Sequence, residues 1–297
     1  MSAVQPGGGP TVAVLGTGHM GGAMVGTLRR AGFDVVAWNR DRSKAEAVAR
    51  AATARVAGTA PEAVGAADVV ISSLADDDAV EQVYASVREH LRRDAVVLEM
   101  STIAPSTARR VAPWVIATGA AFLDAPVSGS VSTVEKGELT IMVGGDSGVL
   151  ERARPVLGAL SAKILHVGEI GAGATMKLAV NALVHGLNVA LSESLVLAER
   201  AGVERATAYE VFASGAAAAP FVLYKRAAYE RPDETPVAFS LDLVAKDLDL
   251  ILGLAEEVGA PMRQAETNRT QVRAAIDAGL GQHDLSAIAE LLRRAGG

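Results

Sequence analysis

Short apolar runs rich in Val, Ile and Leu alternate with helical stretches through the first half of the chain. The runs predict strands, which span residues 11–16, 33–39, 67–74, 95–101, 120–126, 139–145 and 162–168. Strand, helix and strand in regular order indicate βαβ units, a parallel sheet and helices on both of its faces. Beyond Gly168 the strand pattern stops, and helical segments are separated by glycine- and proline-containing breaks. The pattern therefore predicts an α/β fold, with a doubly wound sheet followed by an all-α C-terminal domain.

The boundaries follow from the same pattern. The chain has 297 residues, 50% of them hydrophobic, which suffices for two domains with separate cores. We expect a flexible Gly- and Pro-rich leader over 1–10, the α/β domain over 11–167 and the helical domain over 168–297. A basic region followed by an apolar run is lacking at the N-terminus, so no signal peptide is predicted.

Composition and charge exclude several functions. With no cysteine, disulfides, thiol nucleophiles, iron–sulfur clusters and thiolate zinc sites are ruled out. The five histidines lack ligand spacing, so no metal is expected. The net charge of −6 and the scattered basic residues argue against a nucleic-acid partner. Polar residues interrupt the longest apolar run, over 174–191, which argues against a membrane partner and favours a cytoplasmic location.

A glycine motif follows the first predicted strand. "VAVLGTGHMGG" places Gly16, Gly18 and Gly21 as GxGxxG at a strand–turn–helix junction. The first glycine permits the tight turn, the second lets a pyrophosphate approach the backbone, and the third lets helix and strand pack closely. We therefore expect a Rossmann-type domain that binds a dinucleotide cofactor. We expect His19 and Met20, within the same motif, to lie beside that cofactor as well. The alternative is a glycine-rich turn without a ligand.

The end of the second strand distinguishes the two nicotinamide cofactors. NAD-binding domains usually carry Asp or Glu there, to bond the ribose hydroxyls. This chain has Asn39, followed by Arg40 and, shortly after, Lys44, and arginine pairs well with a phosphate. These residues predict that NADP(H) is preferred over NAD(H). The alternative is a solvated, basic helix start, and the neighbouring Asp41 supports it.

A lysine and an asparagine share one face of a long apolar helix that begins in "GAGATMKLAVN". At about 100° per residue, the polar residues from Lys177 to Ser192 form one narrow stripe. We expect this stripe to face a cleft, with Lys177 as general acid/base and Asn181 hydrogen-bonding the substrate or the ammonium group. The alternative is a lysine whose stem packs on the helix while its head reaches water.

A polar loop follows the strand predicted over 120–126. "DAPVSGS" places Ser128, Gly129 and Ser130 just after the carboxyl end of that strand, where ligands bind in open α/β sheets. Hydroxyls and backbone N–H groups in such a loop are suited to bind a substrate carboxylate. The alternative is an ordinary polar loop.

Four motifs occur in the order seen in the β-hydroxyacid dehydrogenase family, which the chain resembles over about 11–290. They are GxGxMG, DAPVSG, GxGxxxKxxxN and a late Lys–Asp pair. The resemblance implies that Lys177 is the general acid/base, with Asn181 as its polar neighbour, and that Ser128 and Gly129 hold a carboxylate. It also implies that Leu74 and Thr102 line the nicotinamide side, that Lys246 and Asp247 close over the cofactor, and that Phe239 walls the pocket.

The resemblance predicts an NADP(H)-dependent oxidoreductase that interconverts a small β-hydroxy acid and its semialdehyde or keto acid. Departures at Ser130, Thr133–Val134 and Glu138 leave the substrate open. One rival is an imine reductase or reductive aminase, whose lysine position is usually Asp or Tyr. Others are 6-phosphogluconate dehydrogenase, which needs a longer helical domain, and a non-catalytic NADPH-binding module. The Ala-, Leu- and Val-rich helices predict a homodimer, with a tetramer as the alternative.

Overall fold

The chain folds into two compact units, Met1–Lys177 and Leu178–Gly297. The structure, a computed structural model, describes residues 9–295, so residues 1–8 of the predicted leader lie outside the described residues. The units divide within a helix that begins at Ala172, whereas the sequence pattern put the boundary after residue 167, where the last strand ends.

Unit 1 is built on a sheet of nine strands in the order β3-β2-β1-β4-β5-β6-β8-β7, with β9 also paired to β8. The strands are β1 (Thr11–Leu15), β2 (Asp34–Trp38), β3 (Arg55–Val56), β4 (Val69–Ser72), β5 (Val96–Glu99), β6 (Ala121–Asp124), β7 (Val127–Ser128), β8 (Leu139–Gly144) and β9 (Ser161–Gly168).

Seven helices connect these strands. They are α1 (His19–Arg30), α2 (Arg42–Ala52), α3 (Ala60–Val64), α4 (Asp77–Val87), α5 (Pro105–Ile116), α6 (Val131–Glu135) and α7 (Ser147–Leu160). Two separate clusters of buried apolar side chains cover the two faces of the sheet. The central strands β4 and β5 are therefore buried along their whole length. Burial on both faces explains the continuous apolar runs of these strands.

The sheet is parallel over most of its width, as the alternation of strands and helices predicts, and antiparallel at one end. The pairs from β3 through β6 are parallel, but β8 is antiparallel to both β6 and β7. A parallel return needs a crossover of about a dozen residues or more, usually a helix. The connection here contains only β7 and the short α6, so β8 runs back along β6. The carboxyl ends of β1, β2, β4, β5 and β6 still lie at one edge of the sheet.

Unit 2 is helical, as the sequence predicts. The helix α8 (Ala172–Arg200) begins in unit 1 and continues into unit 2. It is followed by α9 (Arg205–Ser214), α10 (Pro220–Glu230), α11 (Leu241–Val258), α12 (Arg263–Ala275) and α13 (Ile288–Arg294). A single cluster of buried apolar residues joins these helices. Left-handed Gly259 ends α11, where only glycine adopts the required backbone conformation without strain.

The long helix α8 buries its polar face and exposes its apolar one. Asn181, His185, Asn188 and Ser192 are all buried, whereas Leu183 is 68% and Leu197 is 72% exposed. By length and composition alone, α8 is long and apolar enough to cross a membrane. Within the protein, 44% of its most apolar 18-residue segment is buried. The buried polar residues occupy the stripe predicted from the sequence. The apolar outer face of α8 is exposed at Leu183 and Leu197.

Candidate active site

The glycine turn after β1 leaves the N-terminus of α1 open. Gly16 has a φ of +96°, and a Cβ atom there would collide with the carbonyl oxygen of Ser73. A Cβ at Gly21 would collide with the carbonyl oxygen of Gly16, whereas Gly18 has open space beside it. Gly18 is the N-cap of α1, and no side chain caps the helix.

Two features of this turn fit a dinucleotide. The uncapped N–H groups of α1 suit a pyrophosphate, since anions bind favourably at helix N-termini. Thr17, between the first two glycines, has a buried hydroxyl without a hydrogen-bond partner among residues 9–295. A buried unpaired hydroxyl is unfavourable unless a ligand or water satisfies it. Exposed His19 and partly buried Met20 begin the same helix.

Asn39, directly after β2, connects the second strand to the glycine turn. Its Oδ1 accepts a hydrogen bond from the Thr17 N–H at 3.1 Å, and its Nδ2 donates to the Asp41 carbonyl at 3.0 Å. The amide thus ties the turn to the start of α2. An aspartate at this position could accept from Thr17 but could not donate to the next loop.

Only part of the basic cluster after β2 is available to a ligand. Arg42 pairs with Glu46 at 2.7 Å, and Asp41 caps α2 by accepting from the Ser43 N–H. A hydrogen bond from the Ser43 hydroxyl lowers the pKa of Asp41, so its carboxylate is charged at neutral pH. Arg40 and Lys44 are exposed, and neither forms an ion pair within residues 9–295.

A buried carboxylate links the ends of β4 and β5. Glu99 is 1% exposed and accepts hydrogen bonds from the Ser72 hydroxyl at 2.6 Å and the Ser101 N–H at 2.7 Å. The Ser101 hydroxyl in turn accepts from the Leu74 N–H at 2.8 Å. Burial raises the pKa of Glu99. The network fixes the backbone at Leu74 and next to Thr102, the two residues expected beside the nicotinamide.

A second buried carboxylate anchors the start of α8. Asp124, at the end of β6, accepts from the N–H groups of Gly171 and Ala174, each at 2.8 Å. Burial raises its pKa, and these backbone hydrogen bonds oppose that effect. A carboxylate at a helix N-terminus is also favoured by the helix dipole. Partly buried Lys177 lies one turn beyond Ala174, so Asp124 fixes the turn from which the lysine projects.

The loop after β7 forms a tight turn into α6. Gly129 is exposed, with a φ of +146°, and Ser128 is partly buried. Ser130 is the N-cap of α6, and its N–H donates to the Thr133 hydroxyl at 3.2 Å while the two hydroxyls lie 3.0 Å apart. Two residues that depart from the family pattern thus bond to each other as a capping box.

A cluster of buried polar side chains lies in unit 2. The Asn181 Nδ2 donates to Asp247 Oδ2 at 2.6 Å, and Lys246 Nζ lies 3.1 Å from Asp247 Oδ1. Asp247 is fully buried, so these partners offset the cost of removing its charge from water. The sequence predicted Asn181, Lys246 and Asp247 as site residues, and the fold of unit 2 brings all three together.

Phe239 precedes α11 and is held by a buried ion pair. Asp284 Oδ2 accepts from the Phe239 N–H at 3.3 Å and the Ala238 N–H at 3.1 Å. Lys225 Nζ donates to both oxygens of Asp284, at 2.7 and 2.8 Å. The Phe239 ring stacks on His185, with centroids 6.2 Å apart and planes at 26°.

Sequence reasoning missed several polar residues around the predicted site. These residues fix nearby backbone segments through hydrogen bonds, and no spacing in the sequence connects them to those segments. They are Glu99, Asp124 and the Lys225–Asp284 pair. His185 was recognised as part of the polar stripe of α8 but was not predicted as a site residue. Its signal was a histidine two turns after Lys177 on that stripe.

Two family models match the chain, one in each half. Residues 11–168 match the family model of the NAD binding domain of 6-phosphogluconate dehydrogenase. Residues 171–292 match the model described as NAD-binding of NADP-dependent 3-hydroxyisobutyrate dehydrogenase. Together the two models cover both halves of the chain.

Relatives align over nearly the full length. Glyoxylate/succinic semialdehyde reductase 2 of Arabidopsis thaliana, a chloroplastic protein, is 31% identical over 96% of this chain and 80% of its own length. The NAD-dependent L-serine dehydrogenase of Pseudomonas aeruginosa is 33% identical over 94% of this chain and 97% of its own length.

Solved structures share the fold. The 3-hydroxyisobutyrate dehydrogenase of Mycobacterium tuberculosis, solved with L-serine, has a TM-score of 0.83 and 32% identity, covering 96% of this chain and 99% of its own. An imine reductase from a Pseudomonas species has a TM-score of 0.67 and 25% identity, covering 95% and 99%. The dehydrogenase is the more similar of these two structures by both measures.

Proposed function

The chain belongs to the β-hydroxyacid dehydrogenase family, and from that premise we propose that it interconverts a small β-hydroxy acid and its semialdehyde or keto acid, using NADP(H). It is an NAD(P)-dependent oxidoreductase of the class that acts on hydroxyl groups. The observation that carries the finer proposal is the placement of Lys177 one turn beyond the helix start anchored by Asp124. We also propose a cytoplasmic location.

The structure of unit 1 supports an assignment of residues to the cofactor. We assign the pyrophosphate to Gly16, Gly18 and Gly21 at the open N-terminus of α1, with His19 and Met20 beside it. Arg40 and Lys44, with Asn39, face the ribose and its 2′-phosphate. Leu74 and Thr102, whose backbone the Glu99 network fixes, line the nicotinamide side. In unit 2 we assign Lys246 to the cofactor.

When bound, the reduced cofactor would supply a hydride to the carbonyl carbon of the aldehyde or keto acid, and the oxidised cofactor would accept a hydride from the alcohol carbon in the reverse direction. As the C–H bond forms, the electron pair of the C=O double bond moves to oxygen. That oxygen takes a proton from the Lys177 ammonium group, which becomes a neutral amine. In the oxidising direction the neutral amine accepts the hydroxyl proton, so the lysine acts as acid one way and as base the other.

The substrate residues hold the acid in place for this transfer. Ser128 and Gly129 bind its carboxylate through the serine hydroxyl and backbone N–H groups, with the Ser130 backbone beside them. The hydrogen bond from the Ser130 N–H to the Thr133 hydroxyl ties this loop to the start of α6. Asn181 hydrogen-bonds the substrate, Asp247 fixes the Asn181 amide, and Phe239 supplies an apolar wall.

A panel of substrates tests the reaction. The acids are glyoxylate, succinic semialdehyde, methylmalonate semialdehyde and tartronate semialdehyde, with 3-hydroxyisobutyrate for the oxidising direction, and cyclic imines are the contrast. We expect turnover of at least one acid and none of the imines. Turnover of imines alone would favour the imine reductase alternative, which the fold of the Pseudomonas imine reductase supports. Tight NADPH binding without turnover of either class would indicate a non-catalytic module.

Cofactor preference gives a separate prediction. We expect NADPH to bind more tightly than NADH, and Arg40→Ala to remove about 10- to 100-fold of that preference, the value of a charge-assisted hydrogen bond. Asp41 opposes the preference, because its charged carboxylate lies next to Arg40. Fluorescence titration of both cofactors provides the measurement, and Arg42→Ala is the matched control, since Glu46 already pairs Arg42. Equal affinities in the unchanged protein would contradict the prediction.

The exposed apolar face of α8 supports a homodimer. Leu183 and Leu197 are two heptads apart, so both lie on the exposed face of this helix. Burial of that face against a second copy of the chain would remove both side chains from water. We expect a dimer by light scattering at micromolar concentration, and a monomer for the Leu183→Glu/Leu197→Glu double variant. Ile116→Glu, at a half-exposed apolar position in unit 1, is expected to remain dimeric. A monomeric unchanged protein would refute the proposal.

A further inference from the structure

A buried histidine in unit 2, His185, has no hydrogen-bond partner in the part of the chain that the structure describes. His185 is 3% exposed, and neither its Nδ1 nor its Nε2 has a hydrogen-bond partner among residues 9–295. Buried polar groups in folded proteins are nearly always paired, and leaving one unpaired destabilises the fold. Imidazole has two such groups, so this position carries a cost that an apolar side chain of similar size would avoid.

The surroundings of His185 are residues assigned above to the substrate. Its Nε2 lies 3.7 Å from Asp247 Oδ2, beyond hydrogen-bond range, and the Asn181 amide already occupies that oxygen at 2.6 Å. Phe239 stacks on one face of the ring. Asn181 lies one helical turn before His185 on α8, so the two side chains project from the same face.

We propose that His185 determines substrate specificity by hydrogen-bonding a polar substituent on the carbon next to the carboxylate. The inference rests on the proposed function and narrows its substrate class to three-carbon acids that carry a hydroxyl or amino group at C2. A neutral imidazole offers one donor and one acceptor, and a hydroxyl can satisfy either. A methyl group at C2 leaves both ring nitrogens unpaired.

The size of the effect follows from the chemistry of buried polar sites. A site built to hydrogen-bond a hydroxyl discriminates strongly against the analogue that lacks it, because its own polar group is then left unpaired. One neutral hydrogen bond corresponds to about a tenfold preference. His185 is therefore expected to set a preference of about tenfold or more for the hydroxyl-bearing substrate.

Two substrates isolate the C2 substituent. Tartronate semialdehyde and methylmalonate semialdehyde share the carboxylate and the aldehyde and differ only in a hydroxyl against a methyl group at C2. We expect kcat/KM in the unchanged protein to favour tartronate semialdehyde by about tenfold or more. His185→Leu should bring the ratio close to one, chiefly by lowering kcat/KM for the hydroxyl substrate, and His185→Gln, which keeps a donor and an acceptor, should retain part of the preference.

Ser192→Ala is the matched control, because Ser192 is a buried polar residue on the same face of α8 whose hydroxyl is bonded to Asn188 and Tyr229. The ratio of kcat/KM for tartronate semialdehyde to kcat/KM for methylmalonate semialdehyde should be the same in Ser192→Ala as in the unchanged protein. No preference for the hydroxyl substrate in the unchanged protein would overturn the inference even if the His185 variants fail to fold. The inference would also be overturned if His185→Leu left the ratio of the two kcat/KM values unchanged, including the case in which kcat/KM falls equally for both substrates. Absence of turnover with every acid would instead overturn the proposed function, and this inference with it.

Discussion

Replacing Lys177 by alanine is expected to lower kcat by about 10²–10⁴-fold, the usual contribution of general acid–base catalysis. The affinity for NADPH should stay nearly unchanged, because the residues that we propose to bind the pyrophosphate and the ribose belong to the glycine turn and the end of β2. Stopped-flow measurement of hydride transfer gives the rate, and fluorescence titration gives the cofactor affinity.

Two further variants separate proton transfer from charge and from general damage. Lys177→Arg keeps the positive charge but replaces the ammonium by a guanidinium, which does not deprotonate in proteins, so it should be nearly as slow as alanine. Lys163→Ala removes an exposed lysine from β9 and should leave the rate unchanged. Turnover that survives both Lys177 variants would refute the lysine mechanism while leaving the reaction class intact.

Most of the fold could be read from the sequence because the apolar pattern was dense. The run predicted over 95–101 became β5 (Val96–Glu99), and that over 162–168 became β9 (Ser161–Gly168). The direction of β8 could not be predicted, because periodicity does not report strand orientation. The two-residue strands β3 and β7 were too short to leave a period.

Candidate site residues could be predicted where they belong to a sequence motif. They could not be predicted where their role depends on tertiary contacts. Asn181 and Asp247 were recognised from separate motifs, and the structure places them 2.6 Å apart. Glu99 and Asp124 lie within predicted strands and end the observed strands β5 and β6, yet only the fold shows that Glu99 fixes two loops and that Asp124 anchors α8. Ser130 and Thr133 marked departures from the family, and the structure shows that they bond to each other.

The buried ion pair of unit 2 gives the largest expected effect on stability. Lys225 and Asp284 are 5% and 8% exposed, and Lys225→Met would leave the Asp284 carboxylate buried without its counter-ion. Removing one partner of such a pair typically costs about 3–5 kcal/mol. We expect a loss of that order in the free energy of unfolding, measured with urea. Because Asp284 also holds the Phe239 N–H, KM for the substrate should rise in the same variant.

The double variant Lys225→Met/Asp284→Asn tests the cause. It removes both charges while Asn keeps an acceptor for the backbone N–H groups, so it should be less destabilised than the sum of the two single variants.

The pH dependence of stability provides a second test of the ion pair. Burial acts to raise the pKa of Asp284, but Lys225 and backbone hydrogen bonds hold it below its ordinary value. The carboxylate therefore stabilises the unchanged protein above about pH 4, the unfolded pKa, and this contribution is lost as the pH falls through the lower folded value. Without Lys225, two of the causes that lower the pKa of Asp284 are lost, so we expect its folded pKa to rise and the charged carboxylate to contribute less to the stability of Lys225→Met at neutral pH. The difference in unfolding free energy between the two proteins should thus be largest near pH 7 and shrink on acidification. A difference independent of pH would show that lost packing of the lysine stem, and not the ion pair, accounts for the destabilisation.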